Sequence, residues 1–116
     1  MRLRVLVVVA GLLWPVYTHS QDGPHYFVTG NQLYESCTAP VNNNSFVCAG
    51  YVQGLTDALD VRGTICTPAG ITVGQAMDVV VNYLRAHSQY RQISASLLAG
   101  AALGEAFPAN EPSFGG

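Results

Sequence analysis

The segment that restricts the fold most strongly is residues 45–61, where apolar residues recur at helical rather than strand spacing. One broad stripe carries Val47, Cys48, Tyr51, Val52, Leu55 and Leu59. The opposite side carries Gln53, Thr56, Asp57 and Asp60. This pattern predicts an amphipathic helix with one buried face, and Gly63 is well placed to end it.

Three further segments have helical spacing, and none alternates convincingly with a period of two. They cover residues 29–37 with Thr29 as a cap, a stretch that begins after Thr72, and residues 94–107. Thr72 and Gln75 have the spacing of a capping box, and Pro108 stops the last segment. The chain is therefore predicted to be all-α, a compact bundle of four to five short helices with one disulfide.

The three cysteines of the chain restrict how these helices pair. A straight helix over residues 45–61 is about 24 Å long, so Cys48 near its start and Cys66 beyond its end are too far apart to bond. Cys37 ends the first helix and lies beside Cys48 if the first two helices form an antiparallel hairpin. We therefore predict a Cys37–Cys48 disulfide. Cys66 is left as an unpaired thiol, which indicates either an intermolecular bridge or a lost partner position.

The N-terminal twenty residues have the features of a secretory signal peptide. Arg2 and Arg4 precede an apolar run at residues 5–14, and small residues at 18 and 20 precede a cut before Gln21. The run is about half of the ~20 residues that a membrane span needs, although a retained anchor is the alternative. The mature chain is predicted to be periplasmic, with no membrane association, in a compartment where disulfides persist.

This leader sets the predicted domain organisation. Residues 1–20 are the signal peptide, residues 21–28 an N-terminal extension, residues 29–108 the helical domain and residues 109–116 a flexible tail. Turn residues without an apolar period are typical of a frayed terminus.

The charge pattern argues against several functional classes. The chain has five basic residues, all arginine, and seven acidic residues, with a net charge of −2. A lysine-free, acidic surface binds phosphates poorly, which argues against nucleic acid as a partner. Once the leader is removed, only His25 and His87 remain, without a cluster of ligands or a nucleophile and base. We therefore expect no enzyme, no metal and no cofactor.

Two pairs of glycines interrupt the predicted helices. Gly50 and Gly54 lie one turn apart in the second helix, and Gly100 and Gly104 lie one turn apart in the fourth. Each costs about 1 kcal/mol relative to alanine. Close approach of two crossing helices would compensate, either within one chain or across a homodimer. Glycines tolerated without a role are the alternative.

Four motifs together resemble the Rap1a/Tai family of small periplasmic proteins. They are TGNQLYESC at 29–37, C-x-G-Y-x-x-G at 48–54, C-x-P-x-G-I-x-x-x-Q at 66–75 and A-L-x-E-A-F-P at 102–108. In that family a cysteine usually follows the closing Phe-Pro and pairs with the cysteine before the third helix. Here Ala109 follows Phe107-Pro108, so the resemblance implies that Cys66 faces the place of a missing partner.

The resemblance also implies a function and a binding site. The founding members are immunity proteins of type VI secretion systems, often homodimeric, that bind and inhibit a peptidoglycan-amidase effector without catalysing a reaction. The family implies that the loop between the third and fourth helices reaches the effector, and its candidate residues are His87, Ser88, Gln89, Tyr90 and Arg91. An ordinary solvated loop is the alternative for this segment. For the whole protein, the alternative is an envelope structural or small-ligand-binding helical protein with no toxin partner.

Overall fold

A computed structural model describes residues 26–41 and 43–109, and this part of the chain is helical without any strand. The helices are α1 (Gly30–Thr38), α2 (Asn43–Val61), α3 (Val73–Ala86) and α4 (Ala95–Ala106), with a 3-10 turn at Ser88–Tyr90. The prediction of an all-α bundle is confirmed. None of the helices in the described residues combines the length and the apolar character that a membrane crossing requires. The predicted signal peptide and nearly all of the predicted tail lie outside the described residues.

Reciprocal side-chain caps define where α1 and α3 begin. At α3, the Gln75 N–H donates to Thr72 Oγ1 at 3.1 Å and the Thr72 N–H donates to Gln75 Oε1 at 2.8 Å. This confirms the predicted capping box. The same arrangement joins Thr29 and Gln32 at the start of α1. There the sequence analysis identified Thr29 but not its glutamine partner.

Gly63 ends α2, as predicted. Its backbone is left-handed, with φ at 71°, a conformation that glycine adopts without steric cost. The Thr64 N–H donates to the Leu59 carbonyl at 2.9 Å, and the Gly63 N–H donates to the Asp60 carbonyl at 2.9 Å. These two bonds form a Schellman motif that satisfies the last carbonyls of the helix.

The buried face of α2 is rotated relative to the predicted stripe. Cys48 and Val52 are fully buried, but Val47 is 53% exposed, so its assignment to the core was wrong. Thr56, expected on the polar side, is buried instead. The reason is tertiary, because α3 packs against the Thr56 side of α2. The Thr56 hydroxyl remains satisfied because it donates to the Val52 carbonyl at 2.6 Å.

The predicted Cys37–Cys48 disulfide is confirmed, with the two Cα atoms 5.0 Å apart. It joins the end of α1 to the first turns of α2 and closes a short loop. In the chain-entropy account a crosslink over a loop of this size contributes about 3 kcal/mol. That is a large share of the free energy of unfolding of so small a domain.

Cys66 lies beside the closing Phe-Pro, where the family resemblance placed it. Its backbone N–H donates to the Phe107 carbonyl at 3.0 Å. The preceding residue, Ile65, forms an isolated antiparallel bridge with Pro108. The connection between α2 and α3 is thus held against the end of α4, with the Cys66 residue exposed.

The four glycines predicted to lie at helix crossings do not serve a crossing within the described chain. A Cβ added at Gly50, Gly54, Gly100 or Gly104 would meet nothing within 4 Å. The intrachain form of this prediction was therefore wrong, because these glycines lie on outer rather than facing sides of α2 and α4. The alternative, in which these glycines contact a second copy of the chain, stays a prediction.

Candidate functional site at the loop after α3

The candidate loop, residues 87–92, starts with a histidine that ends α3. The His87 backbone N–H donates to the Tyr83 carbonyl at 3.0 Å, and His87 Nδ1 lies 2.8 Å from the same oxygen. Because a carbonyl only accepts, Nδ1 carries the hydrogen in this contact. The His87 ring also stacks on the Tyr83 ring, with centroids 3.9 Å apart. These contacts give His87 a structural role at the base of the loop.

The next three residues form the exposed part of the loop. Ser88, Gln89 and Tyr90 make one 3-10 turn, and all three are exposed. The turn is closed by the Tyr90 N–H, which donates to the His87 carbonyl at 3.0 Å. Of the predicted contact residues, these three are therefore available to a partner.

The second half of the loop is hydrogen-bonded to the start of α1. The Gly30 N–H donates to the Ile93 carbonyl at 2.8 Å, and the Asn31 N–H donates to the Arg91 carbonyl at 2.7 Å. In the opposite direction, the Ala95 N–H donates to the Val28 carbonyl at 2.9 Å. The first N–H groups of α1 have no partner inside the helix, and the loop carbonyls satisfy two of them.

Gly30 allows this close approach. A Cβ there would lie 2.5 Å from Leu98 Cδ1 and 2.9 Å from both the Cα and the carbonyl oxygen of Arg91. Any larger residue would have to displace the backbone of the loop. The sequence did not single out Gly30, because its contacts come from segments far along the chain and only the position after a capping threonine marks it.

Arg91 lies over an aromatic ring of α1. Its Cζ is 4.1 Å from the centroid of Tyr34, within range of a cation–π interaction. The pKa of Tyr34 is lowered chiefly by hydrogen bonding from the Arg85 guanidinium. Burial, the second-largest effect, raises it, and the charge of Arg85 and the nearby Arg91 lower it further. Arg85 and Arg91 thus both influence Tyr34. Sequence reasoning identified Arg91 but not Arg85 or Tyr34 as part of this cluster.

The surface near the loop contains one open groove between α3 and α4. Its volume is about 430 Å³, and its lining includes Tyr83, His87, Ala102 and Glu105. Within the described residues, no group of three or more His, Cys, Asp or Glu side chains could hold a metal ion. The chemical features of this end of the molecule are thus an exposed turn, a shallow groove and a pair of arginines.

Comparison with known proteins adds one positive finding. The model of the Rap1a immunity proteins matches residues 29–109, which include all four helices and the 87–92 loop. No curated protein and no solved structure matches the chain. The match covers well over half of the sequence. The chain belongs to the Rap1a immunity protein family.

Proposed function

We propose that this protein is a periplasmic immunity protein that binds a secreted peptidoglycan amidase and blocks its active site without catalysing a reaction. The observation that carries the proposal is the construction of the 87–92 loop, whose turn is exposed while its flanks are hydrogen-bonded to α1 and α3. Membership of an immunity family supports binding to a secreted effector. The amidase as target comes from the resemblance of the motifs.

A fixed loop is suited to inhibition because little conformational entropy remains to be lost on binding. Ordering an interface side chain or loop reduces affinity, and preorganisation avoids that loss. Tyr90, half exposed at the end of the turn, and Arg91 are of the residue types that dominate binding hot spots. The loop would enter the cleft of the enzyme and exclude the substrate.

The periplasmic location is supported by two independent features. Disulfides such as Cys37–Cys48 form and persist in oxidising compartments and are rare in the cytosol of mesophiles. The pattern of residues 1–20 is that of a cleaved secretory leader. Both fit an inhibitor that meets its effector outside the inner membrane.

The test is to co-produce the protein with secreted amidases encoded by neighbouring genes. We expect a stoichiometric complex and loss of amidase-driven lysis. Tyr90→Ala should weaken the complex by about 2 kcal/mol, roughly thirtyfold, whereas Gln53→Ala, exposed on α2, should not. A correctly folded wild-type protein that binds no such amidase and protects no cell would contradict the proposal.

We infer that two copies also associate through the glycine face, the outer sides of α2 and α4 that carry Gly50, Gly54, Gly100 and Gly104. The glycines are open, and large apolar side chains share these sides: Phe46 is 70% exposed and Leu97 is 63% exposed. Helices α2 and α4 pack against each other, so the two glycine pairs lie on neighbouring helices. Small residues between apolar ones allow two helix pairs to pack closely.

A further inference from the structure

We propose that Arg85 and Arg91, where α3, the loop and α1 meet, form a binding site for a carboxylate side chain of the protein partner. The proposal rests on the proposed function, because the partner is the effector that the 87–92 loop meets. It specifies what is recognised, an acidic residue of the effector. It also adds two residues outside the loop, Arg85 of α3 and Tyr34 of α1, to the binding site.

The two guanidinium groups come from different elements, and both act on Tyr34. Arg91 comes from the loop and lies over the Tyr34 ring, with its Cζ 4.1 Å from the centroid. Arg85 comes from the last turn of α3, and its Nη1 donates to Asn82 Oδ1 at 3.2 Å. Stacking and hydrogen bonding both limit the motion of a guanidinium group, so the site is partly ordered before a ligand arrives.

The positive charge of this pair is not compensated within the described residues. Arg85 bonds to a neutral amide, and within residues 26–41 and 43–109 neither arginine forms an ion pair with a carboxylate. This is notable in a chain with more acidic than basic residues. Two neighbouring cations without a counter-ion are unfavourable, and an incoming anion would relieve that repulsion.

Arg91 has a second unsatisfied feature. Its Nε is covered by protein and has no hydrogen-bond partner, the one such atom among the buried side-chain nitrogens and oxygens that the structure describes. A buried donor without an acceptor costs about 1–3 kcal/mol. Native structures retain few such groups. Arg91 therefore keeps a donor that no residue of the described chain satisfies.

The number of cations favours a single carboxylate over a polyanion. Nucleic acids and anionic membranes are bound by many basic residues acting together, but this chain has no lysine and a net charge of −2. A carboxylate needs only one or two guanidinium groups, which bind it through paired, charge-assisted hydrogen bonds. The site therefore fits an aspartate or glutamate on a protein surface.

The first experiment needs no effector. Arginine side-chain N–H resonances of the oxidised protein are followed by NMR during titration with acetate. We expect saturable shifts of the Arg85 and Arg91 resonances, with Arg62, exposed beyond α2, as the internal control. Acetamide, which has the same shape without the charge, and sodium chloride at matched ionic strength should produce neither shift. Equal shifts at all three arginines, or none, would overturn the site.

The second experiment uses the amidase complex. Arg85→Gln and Arg91→Gln should each weaken binding at least tenfold, whereas Arg62→Gln should leave it unchanged; thermal melting verifies that each variant is folded. Wild-type binding with no loss in either of the first two variants would overturn the carboxylate site and leave the proposed function intact. Conversely, selective acetate shifts in a protein that binds no amidase would support the site and contradict the proposed function.

Discussion

Glycine has opposite surroundings in two regions of this molecule. At the start of α1, Gly30 is buried, and an added Cβ would lie 2.9 Å from the Arg91 backbone. On the glycine face, the same addition at any of the four glycines meets nothing within 4 Å. The first region uses the missing side chain inside the fold. The second leaves that space open, which is why we assign it to contact with another chain.

Glycines in helices can thus have different roles. In a helix interior, glycine lowers helix stability by about 1 kcal/mol relative to alanine, and compensation must come from contacts that the glycine permits. For Gly30 those contacts are the loop hydrogen bonds to Ile93 and Arg91. For the glycine face they would form only when two copies meet.

The largest expected effect is at Gly30. Gly30→Ala should lower the free energy of unfolding by about 1–3 kcal/mol, because the new methyl group overlaps backbone atoms that cannot move without breaking loop hydrogen bonds. Gly54→Ala is the matched control and should raise it by up to about 1 kcal/mol, since its Cβ has space. Urea denaturation of dilute, oxidised protein measures both. Equal effects at the two positions would contradict the comparison.

The next effect concerns the open region. Gly100→Leu should weaken self-association at least tenfold, about 1.4 kcal/mol, because the larger side chain separates the packed helices. Sedimentation over a range of concentrations measures it, with Ala69→Leu, exposed in the connection between α2 and α3, as control. A wild-type protein that stays monomeric at all concentrations would contradict the proposed dimer.

A smaller effect is expected at the two capping threonines. Thr29→Ala and Thr72→Ala should each lower the free energy of unfolding by about 1 kcal/mol, because each loses one cap. Only Thr29→Ala should speed hydrogen exchange at the amides of Gly30 and Asn31, whose N–H groups hold the loop. Faster exchange of these amides in both variants would show that the loop is not held locally.

The smallest effect is spectroscopic and compares one tyrosine from each region. The pKa of Tyr34 is lowered from 10.0, chiefly by hydrogen bonding from Arg85, and the pKa of Tyr51 is raised from 10.0 by burial. In a pH titration followed by phenolate absorbance, Tyr34→Phe should therefore remove the tyrosine that ionises at the lowest pH. Tyr51→Phe should remove one that ionises at high pH.

The same shifts have opposite consequences for stability, because linkage follows the sign of each shift. Because the pKa of Tyr34 is lowered in the folded state, ionisation of Tyr34 adds to the free energy of unfolding as pH rises through that lowered pKa, and the gain is complete above pH 10. A raised one makes Tyr51 ionisation destabilising above pH 10. If both variants lost the same component, the two environments would be alike and the comparison would fail.

Much of the fold was predictable because its determinants are local. The capping box at Thr72 and the stop at Gly63 depend on residues within one or two turns. The Cys37–Cys48 pairing followed from the length of one helix. The prediction failed at Val47 and Thr56, where the angle between α2 and α3 decided which side of the stripe is buried.

The candidate site was predictable only in part. Polarity indicated the 87–92 loop, and its role as a contact with the effector, which the family resemblance implies, stays a prediction. The Arg85, Arg91 and Tyr34 cluster was not predicted, because its members come from α3, the loop and α1 and none of them is unusual in its own segment. The periodicity of one segment does not show which side chains of a distant segment will pack against it.

The sequence by itself determined the helices, their caps, the disulfide and the family, since these depend on spacing along the chain and on motifs. Only the tertiary structure decided which glycine is buried against a loop, which glycines are left open and which two arginines act on Tyr34. The physical reason is that such contacts join residues far apart in sequence, and their geometry depends on how all four helices pack together.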